Sequence, residues 1–181
     1  MVYKFLVGSE EVDNFKLEIM IDSEDTFMRL RNTILEAVGY DKDQIDSFHI
    51  CDDEWNKEKE VMVIDMDVDS DDDIWLMDDT HLDELLEDEG QRMKFMFDIM
   101  NERYFFMRLK ETIPGRSLHD PLCTRKEGKA PKQVNIPDEI VATPKVVNTN
   151  IEEIEEDFYG EDAYNEDELT DLDAFEGENI D

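Results

Sequence analysis

Five aspartates alternate without a break: Asp65, Asp67, Asp69, Asp71 and Asp73. Alternating carboxylates suit hard cations, and the loop of a helix–loop–helix calcium site opens Asp-x-Asp-x-Asp. Counted from Asp67, the sixth position is Asp72 rather than the glycine a sharp turn needs. The twelfth is Asp78 rather than a bidentate glutamate. Asp67, Asp69 and Asp71 are therefore candidates for weak, non-selective divalent cation binding on a solvated acidic loop.

The second constellation is His49 with Cys51, two residues apart on one face of a predicted strand. Zinc takes both ligand types, but a site needs three or four of them. His119 and Cys123 complete the set only if their segment folds back. The plainer reading is a histidine and an ordinary thiol. Nucleophilic chemistry has less support. No G-x-S-x-G elbow, phosphate-cradling glycine loop or Cys–His pairing on a helix occurs, and the seven glycines are scattered. Carboxylates are so abundant that their pairing carries no information about acid–base catalysis.

The chain of 181 residues has 51 acidic and 18 basic side chains, a formal charge of −33. That charge repels phosphates and anionic lipids, which argues against direct nucleic-acid binding and against a membrane surface. Residues 151–181 hold 15 of the acids and no Lys, Arg or His. This leaves 36 acids against all 18 bases in residues 1–150. With no C-x-x-C pair, Cys51 and Cys123 suit reduced thiols in a cytoplasmic protein. The apolar run Val2 to Val7 meets Gly8-Ser9-Glu10-Glu11, too short and acidic for a signal peptide. No stretch has the length of a membrane span.

The elements that must position these residues follow from periodicity. Gln91–Leu109 is densest in large apolar side chains, with two period-two runs flanking Asn101-Glu102. It predicts a β-hairpin at the centre of the core, one face on helices and the other partly covered. Strands are predicted at 3–7, 15–21 and 47–51, and a short fourth at 61–64, with Gly8 to Asn14 as a polar turn. A helix is predicted over 25–38, capped by Ser23 or Asp25 and ended by Gly39. Thr80 to Asp83 resembles a capping box opening a short helix that Gly90 ends. All five prolines fall between Pro114 and Pro144. That segment predicts an extended arm to about Gln133 carrying Arg116, Arg125, Lys126, Lys129 and Lys132, then a linker over 134–150. Residues 151–181, acidic with scattered Phe158, Tyr159, Tyr164 and Phe175, predict a disordered tail.

In this order the elements resemble the Ri-plasmid open-reading-frame-three-like family of plasmids, transposons and bacterial chromosomes. The resemblance spans roughly Val2 to Gln133. Tyr3-Lys4-Phe5-Leu6-Val7 is similar to its first strand. Asp25-Thr26-Phe27, Leu30, Ile34 and Ala37-Val38-Gly39-Tyr40 resemble its helix and the aromatic after it. Gln44 and Asp46 stand where the family has histidines before Ser47-Phe48. Phe97-Asp98-Ile99-Met100-Asn101 resembles its hairpin. Cys123, Gly128 and Ala130-Pro131 resemble its arm. Asp98, Cys123, Gly128 and Pro131 keep the family's polar or special residue. The resemblance implies an α+β fold with helices on a mostly antiparallel sheet, and no reaction.

The sequence thus predicts one α+β domain over 1–133, a mostly antiparallel sheet with two helices packed on it, and a disordered acidic C-terminal tail. Its expected role is a non-catalytic protein-binding or accessory module whose tail meets a basic protein partner. No cofactor is expected beyond weakly bound divalent cations. The alternatives are a metal-dependent enzyme or a DNA mimic linked to mobile genetic elements. A pocket joining Asp98, His49 and Cys51 would mark the enzyme.

Overall fold

The alternation Phe15, Leu17, Ile19 and Ile21 puts four apolar side chains on one side of an extended chain, and all four are buried. Phe15 leads into β2 (Lys16–Asp22), which holds the other three and pairs antiparallel with β1 (Val2–Ser9). The computed structural model describes residues 1–65 and 75–134, all within one compact unit, Met1–Asn135. Asp67, Asp69, Asp71, most of the expected linker and the acidic tail lie outside the described residues.

After β2 comes α1 (Phe27–Val38), then β3 (Ser47–Cys51), β4 (Lys57–Met62), β5 (Trp75–Leu76) and α2 (Leu82–Leu85). The hairpin of β6 (Arg92–Asp98) and β7 (Arg103–Ile113) follows, and β8 (Leu122–Glu127) closes the order. Among the described residues eight strands form one sheet, β5-β4-β3-β6-β7-β1-β2-β8. Every pairing is antiparallel except β4 with β5. The β6–β7 hairpin sits at the centre of the sheet, and Phe95, Phe105, Met107 and Leu109 from it are fully buried. Both helices pack on this side, through Phe27, Leu30 and Ile34 of α1 and Leu82 and Leu85 of α2. Each large apolar side chain so buried contributes roughly 1.5–3 kcal/mol.

Several boundaries differ from the sequence reading. The cap of α1 is Thr26, whose Oγ1 accepts from the Arg29 N–H at 3.3 Å. Ser23 and Asp25 are occupied elsewhere: their carbonyls accept from Asp83 and Leu82, and the Asp25 carboxylate from Arg29. Gly39 ends the helix as expected, at φ 74° with its N–H on the Leu35 carbonyl. The α1 stripe also buries a charge. Arg31 pairs with Asp46 at 2.6 Å and donates to the Lys42 and Gln44 carbonyls, which fixes the loop into β3.

The second helix is capped at His81, one residue beyond Thr80. The buried Thr80 has its carbonyl engaged by the Phe27 N–H, and the Glu84 carboxylate accepts from the His81 N–H at 2.8 Å. Helix α2 ends at Leu85, with Leu86 as its C-cap, rather than at Gly90, whose φ of 90° serves the turn into β6. Strand β4 begins at Lys57, four residues before the expected start, because its charged first half pairs with β3 without needing burial. Gly8 continues β1 rather than opening a turn, and the arm contains an edge strand, β8, on β2.

Candidate functional site: a groove on the open face of the sheet

Among the described residues no helix covers the sheet face opposite α1 and α2. In its middle lies a groove of about 430 Å³. Its floor is built by register. Gly8 of β1 stands opposite Phe106 of β7, and a Cβ at Gly8 would lie 2.7 Å from ring carbons of Phe106. Glycine therefore lets the phenyl ring lie flat across the neighbouring strand. Leu6, one pleat along β1, stays partly exposed beside it.

The wall is Trp55, in the turn between β3 and β4, at φ 67°. A bulky residue in that region is a backbone outlier that the surroundings must hold in place. The Asp52 carboxylate does so by accepting from the Glu54 and Asn56 N–H groups at 2.8 and 2.9 Å and from Asn56 Nδ2 at 3.0 Å. The Asn56 amide holds the Asp52 carboxyl below the usual carboxylate range. Arg92 donates to the Asp53 carbonyl and lays its guanidinium 5.3 Å from the indole centroid. The indole then meets Phe106 edge to face at 6.1 Å.

Cations surround this aromatic surface. Lys16, Arg108, Lys110 and Arg125 line the groove, against a single acid, Asp13. Lys110 is tied to Glu18 at 3.2 Å and Arg125 to Glu127 at 2.6 Å. The side chains of Lys16 and Arg108 have no hydrogen-bond or ion-pair partner among the described residues. Arg108 also stands directly opposite Arg92, and like charges in facing positions weaken a sheet. In a chain with 51 acids, leaving Lys16 and Arg108 without a side-chain partner among the described residues breaks a local rule without a structural gain there, as binding sites do.

The residues singled out from sequence go elsewhere. His49 sits on the same open face, its Nε2 3.3 Å from Ser47 Oγ and 3.2 Å from Glu60 Oε1. Burial holds its pKa below the usual histidine value against the opposing pull of Glu60. Cys51 is buried and donates to the His49 carbonyl, and burial pushes its thiol pKa up. Asp98 contacts Asn101 and Arg103 rather than His49 or Cys51. His119 lies exposed beside Asp120, and Cys123 on β8 is five strands from β3, so neither joins them. Among the described residues no three His, Cys, Asp or Glu side chains cluster as metal ligands.

Of the four residues picked out by the family resemblance, Asp98, Gly128 and Pro131 lie where the arm is locked onto the domain. Arg103 grips Glu11 through two nitrogens at 2.9 and 2.8 Å and lies 3.5 Å from Asp98. It also donates to the carbonyls of Lys132 at 2.7 Å and Gln133 at 3.0 Å. Beside it the Tyr40 hydroxyl donates to the Pro131 carbonyl at 2.5 Å, and burial raises the phenol's pKa, keeping that proton in place. Gly128, at φ 68°, passes so close to Asn14 that a Cβ would lie 2.3 Å from its carbonyl oxygen. Cys123 is exposed on the edge strand and takes no part.

Sequence reasoning missed the groove. Two signals were present: a glycine continuing the alternation of β1, and two arginines that hairpin register sets opposite each other. Nothing local announces the fold-back of Trp55.

No curated protein matches the chain. Among solved structures it is similar to a protein of unknown function, MM3350, from Methanosarcina mazei Go1. That likeness has a TM-score of 0.52 and 13% identity over 69% of this chain and 68% of the other, and it is one of fold. No helix among the described residues is long and apolar enough to cross a membrane. The family described as plasmid pRiA4b ORF-3-like protein matches residues 16–168, from the start of β2 through the arm and beyond Gln133. The chain belongs to the plasmid pRiA4b ORF-3-like family.

Proposed function

We propose that this protein is a non-catalytic binding module whose folded domain uses the open-face groove as its recognition site. One observation carries the reading: two cations whose side chains have no partner among the described residues, Lys16 and Arg108, border an exposed aromatic floor in a strongly acidic chain. Such a surface favours a ligand that combines negative charge with a flat apolar part. The chemistry-bearing side chains off the groove support the same reading, because Arg31, Asp46, Arg103 and Glu11 are engaged in holding the fold. Two free thiols suit the cytoplasm.

Affinity capture tests it, with the wild-type chain and a Lys16→Glu/Arg108→Glu variant at low and moderate salt. A discrete partner held by the wild type and released by the variant is the expected result. Equal retention by both would remove the groove from the account. A second element is proposed from sequence alone. Residues 151–181, with 15 acids and interspersed aromatics, are a docking segment for a basic protein surface. Removing them abolishes a contact that depends on the segment and spares one that depends on the groove.

A further inference from the structure

We infer that the groove takes an extended acidic peptide of the pattern acid-x-aromatic-x-acid. Its two carboxylates meet Lys16 and Arg108, and its ring lies between them on Phe106 and Trp55. This rests on the groove being the binding site of the domain, and it names the ligand class.

Sheet register sets the spacing. Lys16 of β2 is opposite Gly8, Gly8 is opposite Phe106, and Leu6, two residues back on β1, is opposite Arg108. Lys16 and Arg108 are therefore two strands apart and offset by two residues. That is about 10 Å across the strands and about 7 Å along them, or about 12 Å on the diagonal. In an extended peptide, side chains at i, i+2 and i+4 point the same way, and the outer two are about 13 Å apart. Carboxylates at i and i+4 thus span the two cations, and a ring at i+2 falls over Gly8 and the Phe106 face.

The same face argues against a single-stranded nucleic acid, the other ligand that stacks on aromatics among cations. Acids flank the groove cations: Glu18 is opposite Arg125 on one side and Leu6 on the other, Glu127 is opposite Lys16, and Asp13 lines the groove itself. A strand with a phosphate at every nucleotide cannot avoid them. Its whole charge also faces the repulsion of a chain at −33. A peptide spaces its carboxylates and offers N–H groups between them.

The pattern occurs twice in this chain's own sequence, in Asp157-Phe158-Tyr159-Gly160-Glu161 and in Asp162-Ala163-Tyr164-Asn165-Glu166. That stretch supplies the probe: a fluorescein-labelled peptide of residues 157–166. It is titrated into full-length protein carrying Asp157→Asn, Glu161→Gln, Asp162→Asn and Glu166→Gln, so that the peptide alone supplies the pattern. Fluorescence anisotropy is the readout. The expected result is saturable binding, weakened at least tenfold by Lys16→Glu/Arg108→Glu and changed less than twofold by Lys42→Glu, a cation outside the groove. A control peptide in which Tyr159 is exchanged with Gly160 and Tyr164 with Asn165, so that neither acid pair has a ring midway, binds more weakly. Equal binding of the peptide to the charge-reversed variant overturns the inference. So does a ten-nucleotide oligothymidylate that binds where the peptide does not. If Arg108→Glu abolishes that oligonucleotide binding, the groove remains the recognition site and only the ligand class falls. If no anionic probe binds and captured partners ignore the double variant, both readings fall.

Discussion

Arg103 and Arg108 lie on the same strand, five residues apart, and β7 turns them to opposite faces of the sheet. Arg103 is nearly buried, and the Glu11 and Asp98 carboxylates, two backbone carbonyls and the Phe97 ring surround its guanidinium. Arg108 is exposed, faces another arginine and has no partner among the described residues. The first arginine is consumed by the fold, because its donors are spent on Glu11, Asp98 and two carbonyls of the arm. The second is kept available, at a small cost in sheet stability. The two faces thus treat these arginines differently: Arg103 is fully partnered where the arm crosses the edge of the core, and Arg108 is left open among the described residues where the sheet meets solvent.

Removing Arg103 should have the largest effect. Arg103→Ala leaves two carboxylates and two carbonyls without their donor. Discounted for the partial exposure of Glu11, it should destabilise the domain by about 2–4 kcal/mol. Urea unfolding measures this, and a loss under about 0.5 kcal/mol would mean the arm is not locked there. Gly128→Ala tests the same lock through the backbone. Its positive φ and the approach of Asn14 leave no room for a Cβ, so about 1–3 kcal/mol should be lost.

A third test moves to the open face. The folded His49 pKa lies below its unfolded value, so the folded state binds fewer protons in that range. Stability should be full above about pH 6.5 and fall as the pH drops from there towards the folded pKa. His49→Gln should flatten that slope, and an unchanged slope would assign it to other groups. The smallest effect belongs to Arg108. Arg108→Gln removes the repulsion with Arg92 and should leave stability unchanged or raise it by about 0.2–1 kcal/mol. A loss above 1 kcal/mol would show that Arg108 is as structural as Arg103 and erase the contrast between the faces.

The sequence made the core side of this contrast legible and left the open side hidden. Alternation within 91–109 was enough to place the hairpin at the centre, and the spacing Phe27, Leu30, Ile34 with Gly39 was enough for α1. Both signals are local, and burial follows directly from them. Strand β4 was misplaced because Lys57-Glu58-Lys59-Glu60 carries no apolar alternation, while backbone pairing to β3 needs none. The two-residue β5 was missed because its parallel pairing is set by tertiary contact. The resemblance to the family guided attention to Asp98, Gly128 and Pro131, and these mark the lock of the arm. The groove comes from register and from one strained turn, which bring Gly8, Trp55, Phe106 and Arg108 together across three separate segments. His49 and Cys51 drew attention by their chemical type, but their neighbours supply no further ligands.

The most direct measurement pairs two readouts on the Lys16→Glu/Arg108→Glu chain: the thermal midpoint and retention of the captured partner. If the groove cations are free for a ligand, the midpoint should stay within about 2 °C of the wild type while the partner is lost. A partner retained at full strength by a chain of unchanged stability would contradict the account.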